Sequence, residues 1–362
     1  MLMTKIPEMR IGVDSMEPSL FPYIQKLLKQ REDLTPQEIE IIGGIMLSGK
    51  AEDVQVAALL TLLHCKGASP QEVYAFAKVL RDHATPIHTQ TNRILMDTCG
   101  TGGDHLNTFN ISTTAMFILA SAGIPIAKHG NKGITSKSGS SDVLEALGIK
   151  IDAPPEKVSE CIEKTNIGFM FAPLYHASMK HLAHVRQNLP FRTVFNIIGP
   201  LSNPAHVQRQ VMGVYHPDLL EIMPNALLQL GIKRALVFSG YVPEVESYMD
   251  EISPFGITHC AEVTEGKIQK FSVFSKDFGI KPFKLKDILG GTAGENARLT
   301  ENILLNKELG PPREVVKLNA AAGLYVAGQT DNLVSGFYKA EEILSSGKPY
   351  EVLQKLRDIN GI

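Results

Sequence analysis

Residues 94–127 read ILMDTCGTGGDHLNTFNISTTAMFILASAGIPIA, and this stretch decides the fold. Ile94-Leu95-Met96 is a short apolar run that predicts a buried strand. A glycine-rich turn follows in Asp97-Thr98-Cys99-Gly100-Thr101-Gly102-Gly103-Asp104. Thr108-Phe109-Asn110-Ile111-Ser112-Thr113-Thr114 then gathers the hydroxyl and amide side chains that open helices, and the pattern predicts a helix from Ser112 or Thr113 through Ala122. Ile124 to Ala127 predicts a second strand. Strand, loop, helix, strand is the unit of a parallel α/β sheet, whose sites lie at the carboxyl ends of the strands.

Working outward, a helix is predicted from Asp142 to Leu147, stopped by Gly148, and another strand at Ala235-Leu236-Val237-Phe238. Upstream the grammar is helical. Thr35-Pro36-Gln37-Glu38 and Ser69-Pro70-Gln71-Glu72 each place a hydroxyl N-cap, proline at the first helical position and glutamate at the third. Val54 to Leu63 is apolar nearly all round and is expected to be buried on most faces. The polar linker His83 to Asn92 separates these helices from the strands, and Tyr175 to Pro204, rich in His, Arg and Asn, breaks the alternation and reads as a crossing between two domains. The expected class is α/β: a small all-α N-terminal domain plus a larger α/β domain with a central, mostly parallel sheet. The expected bounds are 18–85 for the helical domain, joined by a returning segment at about 176–204, and 93–175 with 205–362 for the larger one, after a disordered extension at 1–17.

The chain has 362 residues, too many for one compact core. Apolar residues make up 44% and charged residues 20%, which excludes wholesale disorder. The 36 basic and 38 acidic side chains leave a net charge of −2, so no global nucleic-acid or membrane partner is indicated. Cys65, Cys99, Cys161 and Cys260 are far apart and lack metal-ligand spacing, and no apolar run is long enough to span a bilayer; a cytoplasmic protein is expected.

Two loops carry the chemistry. The turn at 97–104 opening onto a helix N-terminus is suited to an anion, because glycines let backbone N–H groups approach a ligand. The bland alternative is a tight turn with an ordinary helix cap. The second loop, Lys128 to Asp142, gathers three lysines, five hydroxyls and glycines after the next strand. Alone it reads equally well as a solvated loop; beside the first it points to a ligand with more than one phosphate. Asp250-Glu251 has the chemistry to hold Mg²⁺ together with substrate phosphates, though most such pairs are surface charges. Arg186 and Arg192, with His176, His181 and His184, form a basic set in which a guanidinium is able to grip a carboxylate, and His181 and His184 read as solvated.

These residues resemble the anthranilate phosphoribosyltransferase family, in the class that includes the thymidine-type nucleoside phosphorylases. The resemblance runs through GTGGD…TFNIST, KHGN…SKSGSSDVLEALG, GFMFAPLYHASMKHLAHVR…RTVFNIIGPLSNPA, DEIS and GENA…LNAAAGLYVAG, from about Glu38 to Gly328. It implies transfer of phosphoribose from 5-phosphoribosyl 1-pyrophosphate to the amine of anthranilate, in tryptophan synthesis, without an acid–base residue, by a homodimer joined through its helical domain.

By the same resemblance, phosphoribosyl pyrophosphate would be held by Gly100, Gly103, Asp104, Thr108, Asn110, Ile111, Ser112 and Thr113, and by Lys128, His129, Gly130, Asn131, Lys132, Gly133, Ile134, Thr135, Ser136 and Ser140. Magnesium would be held by Ser112, Asp250 and Glu251. Anthranilate would meet Gly100, Asn131 and Arg186, with His129 and Pro200 along its path. Where the family usually has Asn-Arg-Ala-Val-Ser, this chain has Asn131-Lys132-Gly133-Ile134-Thr135, which keeps the charge, loses the planar fork and is expected to loosen the loop. His105 stands where the family often has glycine, and Val242 to Met249 reads as an insertion. The alternatives are another aromatic amine as acceptor and a non-catalytic relative that binds a polyanion or nucleic acid.

Overall fold

The computed structural model describes residues 19–133 and 137–362; the expected extension at 1–17 and the site candidates Ile134, Thr135 and Ser136 lie outside the described residues. The chain opens with helices α1 (Phe21–Gln30), α2 (Pro36–Leu47), α3 (Asp53–Lys66) and α4 (Pro70–Asp82). Both predicted capping boxes form: the Thr35 and Ser69 hydroxyls accept from Glu38 N and Glu72 N, and each glutamate accepts in return from the backbone N–H of its cap residue. Such a cap stabilises a helix start by about 1 kcal/mol. Glu72, fully buried, also takes a 2.7 Å ion pair from Lys66 and the Leu34 N–H at 2.9 Å, tying α4 to α3 and to the loop before α2. Helix α3 departs from expectation at its start, where Val54 is exposed; Val56, Leu59, Leu60 and Leu63 face inward.

The strands are β1 (Met96–Gly100), β2 (Ile126–Gly130), β3 (Ile167–Phe171), β4 (Arg209–Gly213), β5 (Arg234–Val242), β6 (Ser247–Met249), β7 (Ile257–Thr264) and β8 (Lys267–Phe274). They form one sheet in the order β3-β2-β1-β4-β5-β7-β8, with β6 paired to β5. The strands from β3 to β5 in this order run parallel, and β6, β7 and β8 pair antiparallel. Side chains alternate between two apolar layers: on β5, Leu236 and Phe238 face the layer built around α5 (Ile111–Ser121), while Ala235 and Val237 face the one shared with α1–α4.

The predicted positions shift by a few residues. β1 starts at Met96 instead of Ile94 and takes in Asp97, Thr98 and Gly100; β2 runs to Gly130 instead of Ala127; α5 starts at Ile111; and the helix expected at 142–147 is α6 (Ser140–Ala146). Each shift carries a glycine loop to the end of its strand or to the mouth of the next helix. The segment 177–201 runs in short helical turns packed on α2, α3 and α4.

Candidate active site

The carboxyl ends of β1, β2 and β4 meet at a cavity of about 400 Å³. Every described residue assigned to a ligand by the resemblance lines it: Gly100, Gly103, Asp104, Thr108, Asn110 to Thr113, Lys128 to Gly133, Ser140, Arg186, Pro200, Asp250 and Glu251.

Its floor is the N-terminus of α5. Asn110 sits at the cap position without capping: its amide donates to Ser138 O at 3.2 Å and its carbonyl accepts from Asn296 at 2.9 Å. The first N–H groups of α5 therefore receive no cap from that side chain, which suits the partial positive charge of a helix N-terminus to an anion. Lys128, buried in β2, donates to Thr98 O across the strands. In the second loop, Asp142 accepts from Gly133 N at 2.9 Å and Gly139 N at 2.8 Å, so α6 pins both sides of the loop. Lys132 reaches outward to Glu145, 3.2 Å away. The expected loosening of this loop falls on Ile134, Thr135 and Ser136, outside the described residues.

Asp250-Glu251 follows β6, as a loop pair after a strand, but it is no surface pair. The backbone of Asp250 passes so close to Gly213 that a Cβ there would overlap it, and a Cβ on Gly100 would meet the Asp250 carboxylate. Asp250 Oδ2 accepts from Gly102 N at 2.7 Å. Burial, then the negative charge of Asp104, pushes the Asp250 carboxyl up to about 7. Burial and then Asp250 itself drive Glu251 well above the carboxylate range. Two adjacent carboxyls resisting ionisation, Glu251 buried and Asp250 partly buried, are a site short of positive charge, which a hard dication would supply. Among the described residues no group of three His, Cys, Asp or Glu side chains forms a metal cluster, so these two would need hydroxyl and ligand oxygens to complete a magnesium shell.

On the opposite wall, Arg186 is partly buried over the Phe195 ring at 5.7 Å, and burial lowers its pKa. Among the described residues no acidic side chain pairs with it, so the guanidinium is available to a ligand carboxylate. His129 stands 5.0 Å from the ring of the buried His176, and burial depresses both, to about 3 and about 4. They are neutral near pH 7. His181 and His184 are exposed, as expected of solvated side chains; His184 pairs with Asp53 at 2.7 Å.

Three residues at the site have no assigned role in the sequence reading. Tyr215 lines the cavity and stacks on Arg192. Gln210, nearly fully buried, donates to the Pro200 carbonyl at 2.6 Å. Asn203 donates to Asp97 and to Ala127 O, both at 2.8 Å, joining the starts of β1 and β2 beneath the site. Gln210 and Asn203 are polar residues next to apolar runs, a signal able to single them out; Tyr215 has none.

Comparison with known proteins agrees with this geometry. The glycosyl transferase family a/b domain matches residues 92–350, and the helical bundle domain of that family matches residues 21–84. The anthranilate phosphoribosyltransferase of Petrotoga mobilis is 45% identical over 334 residues, 92% of this chain and 95% of that protein. The crystal structure of the Thermus thermophilus anthranilate phosphoribosyltransferase superposes with a TM-score of 0.86 at 37% identity, covering 95% of this chain and 99% of that one. The Saccharomyces cerevisiae enzyme in complex with phosphoribosyl pyrophosphate and magnesium superposes with a TM-score of 0.84 at 27% identity, covering 94% and 97%. The chain belongs to the anthranilate phosphoribosyltransferase family.

Proposed function

We infer that this chain transfers the phosphoribosyl group of 5-phosphoribosyl 1-pyrophosphate to the amine of anthranilate, releasing pyrophosphate, as a step of tryptophan biosynthesis. The observation that carries this reading is the convergence, at one cavity, of a helix N-terminus that its Asn110 side chain leaves uncapped, a buried lysine, a cation-seeking carboxylate pair and a guanidinium without an acidic partner among the described residues.

In this reading the anthranilate carboxylate lies against Arg186, with Asn131, His129 and Pro200 along its path and Gly100 leaving room for it. The phosphates lie on the N–H groups of Gly103 and of α5, and on Lys128 and Ser140. The amine nitrogen forms its bond to the anomeric carbon as the bond from that carbon to the pyrophosphate oxygen breaks, and the amine then loses a proton. An aromatic amine is uncharged at neutral pH and needs no base to expose its lone pair, so orientation supplies most of the rate. The residues fit magnesium, which would be held by Ser112, Asp250 and Glu251 and would offset the charge developing on pyrophosphate. The neutral His129 adds no competing positive charge beside Arg186.

The same reading takes α1–α4 with segment 176–204 as one domain and the remainder as the other. It makes the protein a homodimer, which the exposed apolar side chains Phe21, Leu28, Ile41 and Val54 on the helices support. A reducing cytoplasm suits four cysteines that form no disulfide, and no described helix is long and apolar enough to cross a membrane. The deciding experiment follows anthranilate fluorescence on addition of phosphoribosyl pyrophosphate with and without Mg²⁺. A magnesium-dependent loss is expected; no loss with either overturns the assignment.

A further inference from the structure

The loop between β1 and α5 carries four residues with left-handed backbone: Gly102 at φ 67°, Gly103 at 79°, His105 at 60° and Asn107 at 55°. For the two that bear a Cβ this conformation costs on the order of 1 kcal/mol each, so the loop holds this shape only if its surroundings impose it. Its ends are tied to the sheet side. Thr101 N donates to Gly213 O at 3.0 Å and Gly102 N to Asp250 Oδ2, while Asn107 O accepts from Gly290 N at 2.7 Å and Phe109 N donates to Ile288 O at 3.2 Å.

The middle is held by Arg192, which also lines the cavity. Its Nη2 donates to the Gly103 carbonyl and lies 3.1 Å from His105 Nε2. An arginine only donates, so that imidazole nitrogen is the acceptor. The guanidinium lies over the Tyr215 ring at 3.9 Å from its centre, and Tyr215 N donates to Thr101 Oγ1 at 3.2 Å, so the stacking partner is tied to the same loop. A Cβ on Gly103 would occupy the space of the guanidinium. The preceding residue, Phe191, stacks on His64 of α3 at 4.6 Å between ring centres. Two consecutive residues of the crossing segment therefore grip the helices with one side chain and the glycine loop with the other.

We propose that Arg192 is a positioning residue for the transfer: through Gly103 and His105 it latches the glycine loop in the shape that receives the pyrophosphate, and so couples that loop to the helical layer. The proposal rests on the phosphoribosyltransferase reading. Arg192→Lys keeps the charge but loses the fork and the flat face against Tyr215, so it does not replace the latch. His105→Gly removes one of the two strained side chains, and the loop then depends less on Arg192.

The test compares wild type, Arg192→Gln, Arg192→Lys, His105→Gly and the double variant Arg192→Gln/His105→Gly. Arg192→Gln and Arg192→Lys are expected to raise the KM for phosphoribosyl pyrophosphate about tenfold, the scale of one lost charge-assisted contact, with a much smaller change in the KM for anthranilate. The Arg192→Gln effect should shrink when measured in the His105→Gly background. Direct titration of inorganic pyrophosphate with Mg²⁺ should show the same loss of affinity. Equal pyrophosphate affinity in wild type and Arg192→Gln overturns the latch. So does a fall in melting temperature with both KM values rising together, which is a structural role. Pyrophosphate binding needs no acceptor, so failure of wild type to consume anthranilate would sink the assigned reaction while leaving the latch measurable.

Discussion

Gly100 ends β1 with its α-carbon facing the carboxylate of Asp250, so close that a single methyl group at 100 has nowhere to go. The carboxylate oxygen nearest to that methyl, Oδ2, is already held by the Gly102 N–H, which limits its escape. Gly100→Ala is therefore expected to displace the Asp250 carboxylate while leaving the sheet intact. Turnover should fall about a hundredfold, comparable to losing one preorganised charge-stabilising contact, and half-maximal activity should require more Mg²⁺. Steady-state rates against Mg²⁺ concentration, beside far-UV circular dichroism, check this; wild-type magnesium dependence in the variant would show that Asp250 is not pressed by position 100.

Arg186 is the next point of leverage, being partly buried and without an acidic partner among the described residues. Arg186→Ala should raise the KM for anthranilate roughly ten- to a hundredfold, the loss of a charged hydrogen-bonded pair, while the KM for phosphoribosyl pyrophosphate moves little. Arg186→Lys should recover only part, since an ammonium cannot present two parallel donors. An unchanged anthranilate KM in Arg186→Ala would remove the carboxylate from this wall.

The loops that build this site are legible in sequence because glycine and hydroxyl clusters at strand ends carry a local signal. The strand bounds are less so, for a physical reason. β1 continues through Asp97 and Thr98, polar residues that an apolar-run reading excludes from a strand; Asp97 is tolerated at full burial because Asn203, more than a hundred residues away, donates to it. The β7–β8 hairpin escapes the same reading, although its turn, Glu265-Gly266, has two left-handed residues with glycine at the second, a known hairpin pattern. Arg192 is visible in sequence only as one of several basic residues. Its partners, Gly103 and His105 in the glycine loop and Tyr215 after β4, come from two distant segments that folding alone brings together.

His176 sets an acid limit on stability. Its ordinary value of 6.5 is depressed to about 4, because burial penalises the charged ring. Below pH 6.5 the unfolded chain takes up this proton and the folded chain does not, so stability drops as pH falls from about 6.5 towards 4. Between pH 7 and pH 5 the loss amounts to about 2 kcal/mol at most. The raised carboxyl of Asp250 acts with the opposite sign in metal-free protein, since there the folded state holds the extra proton. The informative quantity is therefore the difference in urea-unfolding free energy between wild type and His176→Gln, measured at pH 7 and at pH 5. That difference should shift in favour of the variant at the lower pH; a constant difference would mean that His176 titrates normally.

The carboxyl pair makes metal binding a proton-releasing event. Asp250 is pushed up to about 7 and Glu251 is driven well above its ordinary range, because each is withdrawn from water beside other negative charge, that of Asp104 for the first and of Asp250 for the second. A dication binds the ionised forms, so at pH 7 each ion bound should expel protons, and affinity should rise as pH increases through 7. Calorimetric titration of metal-free protein with Mg²⁺ and pyrophosphate, in buffers of different ionisation enthalpy, reads the proton count directly. Pyrophosphate releases protons of its own on binding magnesium, so the same titration of Asp250→Asn supplies the baseline. The difference between the two counts should be close to the protons given up with the Asp250 carboxyl; a wild-type value equal to the variant's would place the metal away from Asp250 and leave the pair as a purely structural feature of the β6 turn.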